Sequence, residues 1–148
     1  MKGVIGLGNI LQRDDGAGII LARELKKKNL PENIQVFDAG TGGMKILHIL
    51  KELEKVIIID VVNFGEKPGD FLFFTPSEVK SLRESKSAHE SDFFDILKLS
   101  ESLGETPQKI IIMGIQPKNT SAGEGLSPEL EGNLSRMIDA VIEKLEEF

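Results

Sequence analysis

Four acidic residues and one histidine stand where they could do chemistry. Asp14 and Asp15 lie in the glycine-rich stretch GLGNILQRDDGAG, residues 6–18; Asp38 closes IQVFD, 34–38, and Asp60 closes VIIID, 56–60. Asp15, Asp38 and Asp60 thus fall at the carboxyl ends of predicted parallel strands or in the turn just beyond. Ligand crevices in open α/β sheets form at that edge. The chain has two histidines. His48 shares a helical face with Lys45 and Glu52 and is expected in solvent. His89 shares a face with Phe93 and Ile96, at i+4 and i+7, and is expected to point to the apolar side. Its place in a first helical turn disfavours protonation and keeps the imidazole available as a ligand. Two carboxylates and one neutral imidazole suit nickel or zinc better than copper(I) or iron–sulfur clusters, which favour thiolates. Each residue also has an ordinary structural reading. Asp14 or Asp15 would serve as a helix N-cap worth about 1 kcal/mol, Asp60 would open a turn through Asn63 and Gly65, and His89 would be a satisfied core residue.

The elements that must position these residues alternate along the chain. Val4-Ile5 reads as a first strand; Ala17, Ile20, Leu21 and Leu25 then share one face of a helix that starts at the acid pair. Residues 34–38 form a second strand, followed by a helix with Met44, Leu47 and Leu50 at apolar spacing. VIIID is a near-continuous branched run, as expected of a parallel strand buried on both faces. DFLFF, 70–74, is a fourth strand, reached in about ten residues. A parallel crossover needs a dozen or more, so this strand is expected to run antiparallel. Ser87 with Glu90 three residues on forms a capping-box pattern. KIIIMGI, 109–115, is a fifth strand, and Ser127-Pro128 opens a last helix whose stripe runs from Leu130 to Leu145. The expectation is α/β: a single domain over 1–148, three-layer, a mostly parallel five-stranded twisted sheet with helices on both faces and one antiparallel strand.

Composition narrows the function. Across 148 residues the net charge is −6, against a basic nucleic-acid surface. The one basic run, Lys26-Lys27-Lys28, falls where a helix would end and complements its dipole. Cysteine is absent, which removes disulfides, thiolate metal sites and a cysteine nucleophile. No apolar stretch approaches the roughly 20 residues of a membrane span, and Met1-Lys2-Gly3-Val4-Ile5 passes straight into a strand, so no signal peptide is expected. A cytoplasmic protein without nucleic-acid binding or membrane insertion is expected.

A glycine-rich turn after a strand normally invites phosphate, and two rival readings start there. The dinucleotide fingerprint G-x-G-x-x-G is met by Gly6 and Gly8 but has Leu11 at its last position; Asp38, where a ribose-binding acid would stand, speaks for it. Asp14 and Asp15 speak against it, at the helix start that would have to receive pyrophosphate. The opening also resembles that of peptidyl-tRNA hydrolases, yet no histidine precedes position 48.

The order of motifs resembles a further family, the endopeptidases that mature the large subunit of nickel–iron hydrogenases. GLGNILQRDDGAG is similar to its opening motif; DAGTGG, 38–43, to its Asp-Gly-Gly-Thr turn, with Ala39 replacing a glycine; and IIIDVVNFGEKPGD, 57–70, to its Asp-x4-Gly-x-x-Pro-Gly segment. SAHESDFFDIL, 87–97, carries a histidine in the expected order, and GIQP and GLSPEL resemble the late loop and last helix start. The resemblance implies Asp15, Asp60 and His89 as ligands to nickel, with Asp15 and Asp60 also the catalytic acids. Asp38, Gly40, Thr41 and Gly42 are expected to bind the substrate peptide. The nickel would belong to the substrate, a hydrogenase large-subunit precursor that loses a C-terminal extension, with another divalent metal able to replace it in vitro. The Asp-Asp-Gly-Ala-Gly and Gly-Ile-Gln-Pro forms lean towards the formate-hydrogenlyase-type branch.

Overall fold

The alternation of strand and helix read from the sequence organises the chain. The computed structural model describes residues 1–84 and 92–148. Strand β1 (Lys2–Leu7) leads through a 3-10 turn (Arg13–Gly16) into helix α1 (Ala17–Lys26). Strand β2 (Ile34–Gly40), helix α2 (Met44–Leu50), strand β3 (Lys55–Val61) and strand β4 (Phe71–Phe74) follow. Then come helices α3 (Pro76–Glu84) and α4 (Asp92–Ser102), strand β5 (Lys109–Ile115), and helices α5 (Pro128–Glu131) and α6 (Leu134–Glu147).

The sheet order is β2-β1-β3-β5-β4, parallel throughout except for the β4–β5 pair. β4 is antiparallel, as its short approach demands. The connection from β3 stays at the carboxyl edge, so the chain returns in the opposite sense. It pairs with β5 at the rim, because β5 already occupies the place beside β3.

Alternation along β3 builds the three layers. Val56 and Ile58 pack with α2, α3 and α4 on one face, through Ile46, Leu47, Leu50, Val79, Phe93 and Ile96. Ile57 and Ile59 pack on the other with α1, α5 and α6, through Leu21, Leu25, Leu130, Met137 and Val141. All four β3 side chains are fully buried, and each such burial contributes about 1.5–3 kcal/mol.

Three local expectations are corrected. Met44 is 54% exposed, and Ile46 takes the inward position instead. The last helix breaks in two at Gly132-Asn133, so Leu130 and Leu134 belong to different helices. Helix α3 was not anticipated, although Thr75 and Glu78 bracket its start reciprocally. The Glu78 carboxylate accepts from the Thr75 N–H at 2.7 Å, and Thr75 Oγ1 accepts from the Glu78 N–H at 3.3 Å. The Ser87/Glu90 capping pattern lies outside the described residues.

Candidate active site at the carboxyl edge of the sheet

Glycines let the acid-bearing turn press against the sheet. A Cβ at Gly18 would run into the carbonyl oxygens of Leu7 and Ile59, and one at Gly8 into that of Asp15. Without those atoms, the start of α1 settles directly over the ends of β1 and β3. The 3-10 turn itself packs against β3. Asp15 is thereby brought to the edge where Asp60, the penultimate residue of β3, stands opposite Gly114 of β5. Both acids are partly buried. Asp15 Oδ2 accepts from the Asn9 N–H at 2.9 Å, and Asp60 Oδ1 from the Val61 N–H at 2.8 Å. Those bonds help to orient the two carboxylates.

Asp14 has a different role from its neighbour. It is completely buried. Its Oδ2 accepts from the Lys118 N–H at 2.8 Å, the Asn119 N–H at 3.0 Å and Ser127 Oγ at 2.9 Å; Oδ1 accepts from the Ser127 N–H at 2.7 Å. Burial alone would push this carboxyl up. The amides of Ser127, Asn119 and Lys118, with the Ser127 hydroxyl, outweigh it and hold the group below the ordinary carboxylate range. Neither acid of the pair caps α1: its N-cap is Gly16, with no side-chain cap hydrogen bond. Ser127 does stand at the N-cap of α5 before Pro128, but its hydroxyl turns to Asp14 instead of the helix.

Asp38 lies one strand further out. Its Oδ2 pairs with Arg23 Nε of α1 at 2.8 Å. Asp38, Gly40 and Thr41 line a cleft of about 240 Å³ with Gly8, Asn9 and Ile10. Gly42 does not line it; its N–H bonds the Ala39 carbonyl and its Cα packs on Ile46 at the start of α2. Beyond Asp60, buried Gln116 accepts from the N–H groups of Phe64, at 2.8 Å, and Glu66, at 3.3 Å. It also donates to Asn63 Oδ1 at 3.1 Å. One side chain thus ties the loop that follows Asp60 to the end of β5.

A profile described as hydrogenase maturation protease (HycI) matches residues 19–144. The chain belongs to the hydrogenase maturation protease family. It is 30% identical to the hydrogenase 2 maturation protease of Escherichia coli K12, over 97% of this chain and 90% of that one. It is 33% identical to the coenzyme F420 hydrogenase subunit delta of Methanothermobacter thermautotrophicus, over 96% and 92%. Among solved structures, the hydrogenase-maturating endopeptidase HybD of E. coli superposes with a TM-score of 0.87 at 26% identity, covering 99% of this chain and 92% of that one.

Family membership makes the chain a peptidase and favours neither rival drawn from the glycine-rich turn. The geometry agrees with the electrostatic objection to phosphate, because the helix start carries the Asp14 and Asp15 carboxylates. His48 is exposed, as expected. His89 lies outside the described residues, and among those described no three metal-ligating side chains come together. No described helix is long and apolar enough to cross a membrane. Sequence reasoning missed the roles of Asp14 and Gln116. Their partners lie more than 100 and about 50 residues away, and the only local signal was a pair of acids where a helix cap needs one.

Proposed function

We propose that this protein is the endopeptidase that removes a C-terminal extension from the large-subunit precursor of a nickel–iron hydrogenase. On this reading it senses the precursor's own nickel through Asp15, Asp60 and His89, and works in the cytoplasm. The observation that carries the proposal is the packing of the Asp15 turn against the strand end that bears Asp60. The functions of the relatives, a hydrogenase 2 maturation protease and a hydrogenase-maturating endopeptidase, support the reaction class. An oxygen and nitrogen set suits a sensing role, since it binds nickel without stripping it from softer thiolates.

Hydrolysis then needs no acyl-enzyme. One carboxylate of the pair takes a proton from water, and the water oxygen bonds to the scissile carbonyl carbon. The C–N bond breaks as the proton passes to the leaving amine. When present, the substrate's nickel supplies polarisation of that carbonyl. The cleft of Asp38, Gly40 and Thr41 takes the peptide backbone beside Gly8 and Asn9.

The test mixes the purified protein with the cognate precursor, nickel-loaded and nickel-free, and follows precursor mass. Loss of a C-terminal peptide from the loaded form alone is expected. Cutting of both forms would remove the metal-sensing role of the three residues; cutting of neither would overturn the proposal.

A further inference from the structure

Arg13 is built into the active-site turn in a way that no structural need explains. Among the described residues it is the only non-glycine with positive φ, at 50°, a conformation that is strained for an L-residue. Its guanidinium lies against the backbone of Gly123, where a Cβ would come within 2.6–2.7 Å of its Cζ, Nη2 and Nε. Gly123 has φ 146°, so that surface is kept clear by a residue that must be glycine. Backbone bonds clamp the two together: the Arg13 N–H donates to Gly123 O at 3.1 Å and the Gly123 N–H to Leu11 O at 2.9 Å. Yet Nε is buried with no hydrogen-bond partner among the described residues.

Neighbouring cations are already spent. Arg23 is paired with Asp38 and Lys118 with Glu129, each at 2.8 Å. Asp14, next in sequence, gives its oxygens to the loop 118–127. Among the described residues Arg13 forms no ion pair. A guanidinium so fixed, without an acid among the described residues and two positions from Asp15, suits a planar anion, above all a carboxylate.

On the reading of the protein as a C-terminal processing peptidase, we infer that Arg13 binds a carboxylate of the precursor's extension. That group is either the chain's terminal carboxylate or an acidic side chain. The Arg13 guanidinium lies on Gly123 and not among the carboxylates of the Asp15/Asp60 pair, so the carboxylate it holds aids binding more than chemistry.

Steady-state cleavage of the nickel-loaded precursor by wild type, Arg13→Gly and Arg13→Lys tests this. Glycine is chosen because it accepts φ 50° and leaves the backbone in place. Loss of charge-assisted hydrogen bonds predicts a KM about 10- to 100-fold higher for Arg13→Gly with kcat within about twofold. Arg13→Lys falls between, keeping charge without the fork. Two altered precursors locate the carboxylate, one amidated at its C-terminus and one with the acidic side chains of the extension changed to amides. Wild type loses its advantage on whichever form lacks the bound group, while Arg13→Gly cuts that form as well as the native one. Equal KM for wild type and Arg13→Gly on the native precursor overturns the inference and leaves the peptidase reading intact. If wild type cuts nothing, the peptidase reading fails by itself. The Arg13 Nε–H resonance, assigned by its loss in Arg13→Lys, then decides when titrated with acetate and with acetamide. A saturable shift with acetate alone supports a carboxylate site; no shift overturns it.

Discussion

Replacing Asp14 by asparagine keeps the side chain's size and removes the charge on which four donors converge. Three of those donors meet at Oδ2 and one at Oδ1. If the amide oxygen takes the Oδ2 place, three hydrogen bonds survive as neutral ones, each weaker by about 1 kcal/mol than its charge-assisted form. The NH2 then faces the Ser127 N–H, leaving a buried donor unpaired at a cost of about 1–3 kcal/mol. The sum is about 4–6 kcal/mol, reduced by the release of a buried charge to about 4 kcal/mol. For a chain of this size that lowers Tm by about 8–16 °C. Urea unfolding at pH 7 should show a lower midpoint at unchanged slope. The pH dependence gives a second signature. The folded-state pKa of Asp14 lies below its unfolded value, so its contribution is complete above the unfolded value and lost as pH falls through the folded one. The gap between wild type and Asp14→Asn should therefore begin to narrow as pH falls below about 4. A variant within about 1 kcal/mol of wild type at pH 7, or a gap that stays constant down to pH 2, would falsify the assignment of Asp14 as the clasp of this turn.

Asp15→Asn and Asp60→Asn each keep an acceptor for the amides of Asn9 and Val61; both should fold within about 1 kcal/mol of wild type and lose precursor cleavage by at least about 100-fold. Retained cleavage in either, measured by precursor mass, would remove that residue from the catalytic pair. Gly18→Ala drives a methyl into the carbonyls of Leu7 and Ile59 and should cost about 1–3 kcal/mol or more, read by denaturant midpoint; an unaffected midpoint would refute the close approach of α1. Gln116→Leu strands the amides of Phe64 and Glu66 and should cost about 1–3 kcal/mol, with faster hydrogen exchange confined to loop 62–66; unchanged exchange there would refute its role.

How much could be read in advance follows the range of each interaction. The sequence by itself determined the layers, because hydrophobic period is local: the unbroken branched run Val56–Ile59, bounded by polar residues, reads as a strand covered on both faces. The short step from Asp60 to Asp70 likewise required a reversed fourth strand, and Ser127-Pro128 marked a helix start. The capping box at Thr75 and Glu78 is as legible in the sequence as the pattern at Ser87 and Glu90, since both have an acid three residues after a hydroxyl. The acids at strand ends were visible as a set because strand direction alone brings them to one edge.

Tertiary structure decided which acid does what. Asp14 and Asp15 are adjacent and chemically identical, and no local pattern separates them. Asp14 became the buried clasp because loop 118–127 folds back and offers it four donors, while Asp15 was left at the edge beside β3. The same fold-back put Gly123 under Arg13 and left its guanidinium without an acid among the described residues. Hydrogen bonds between residues a hundred positions apart leave no periodic trace in the chain, since they depend on which loops the closed sheet brings together.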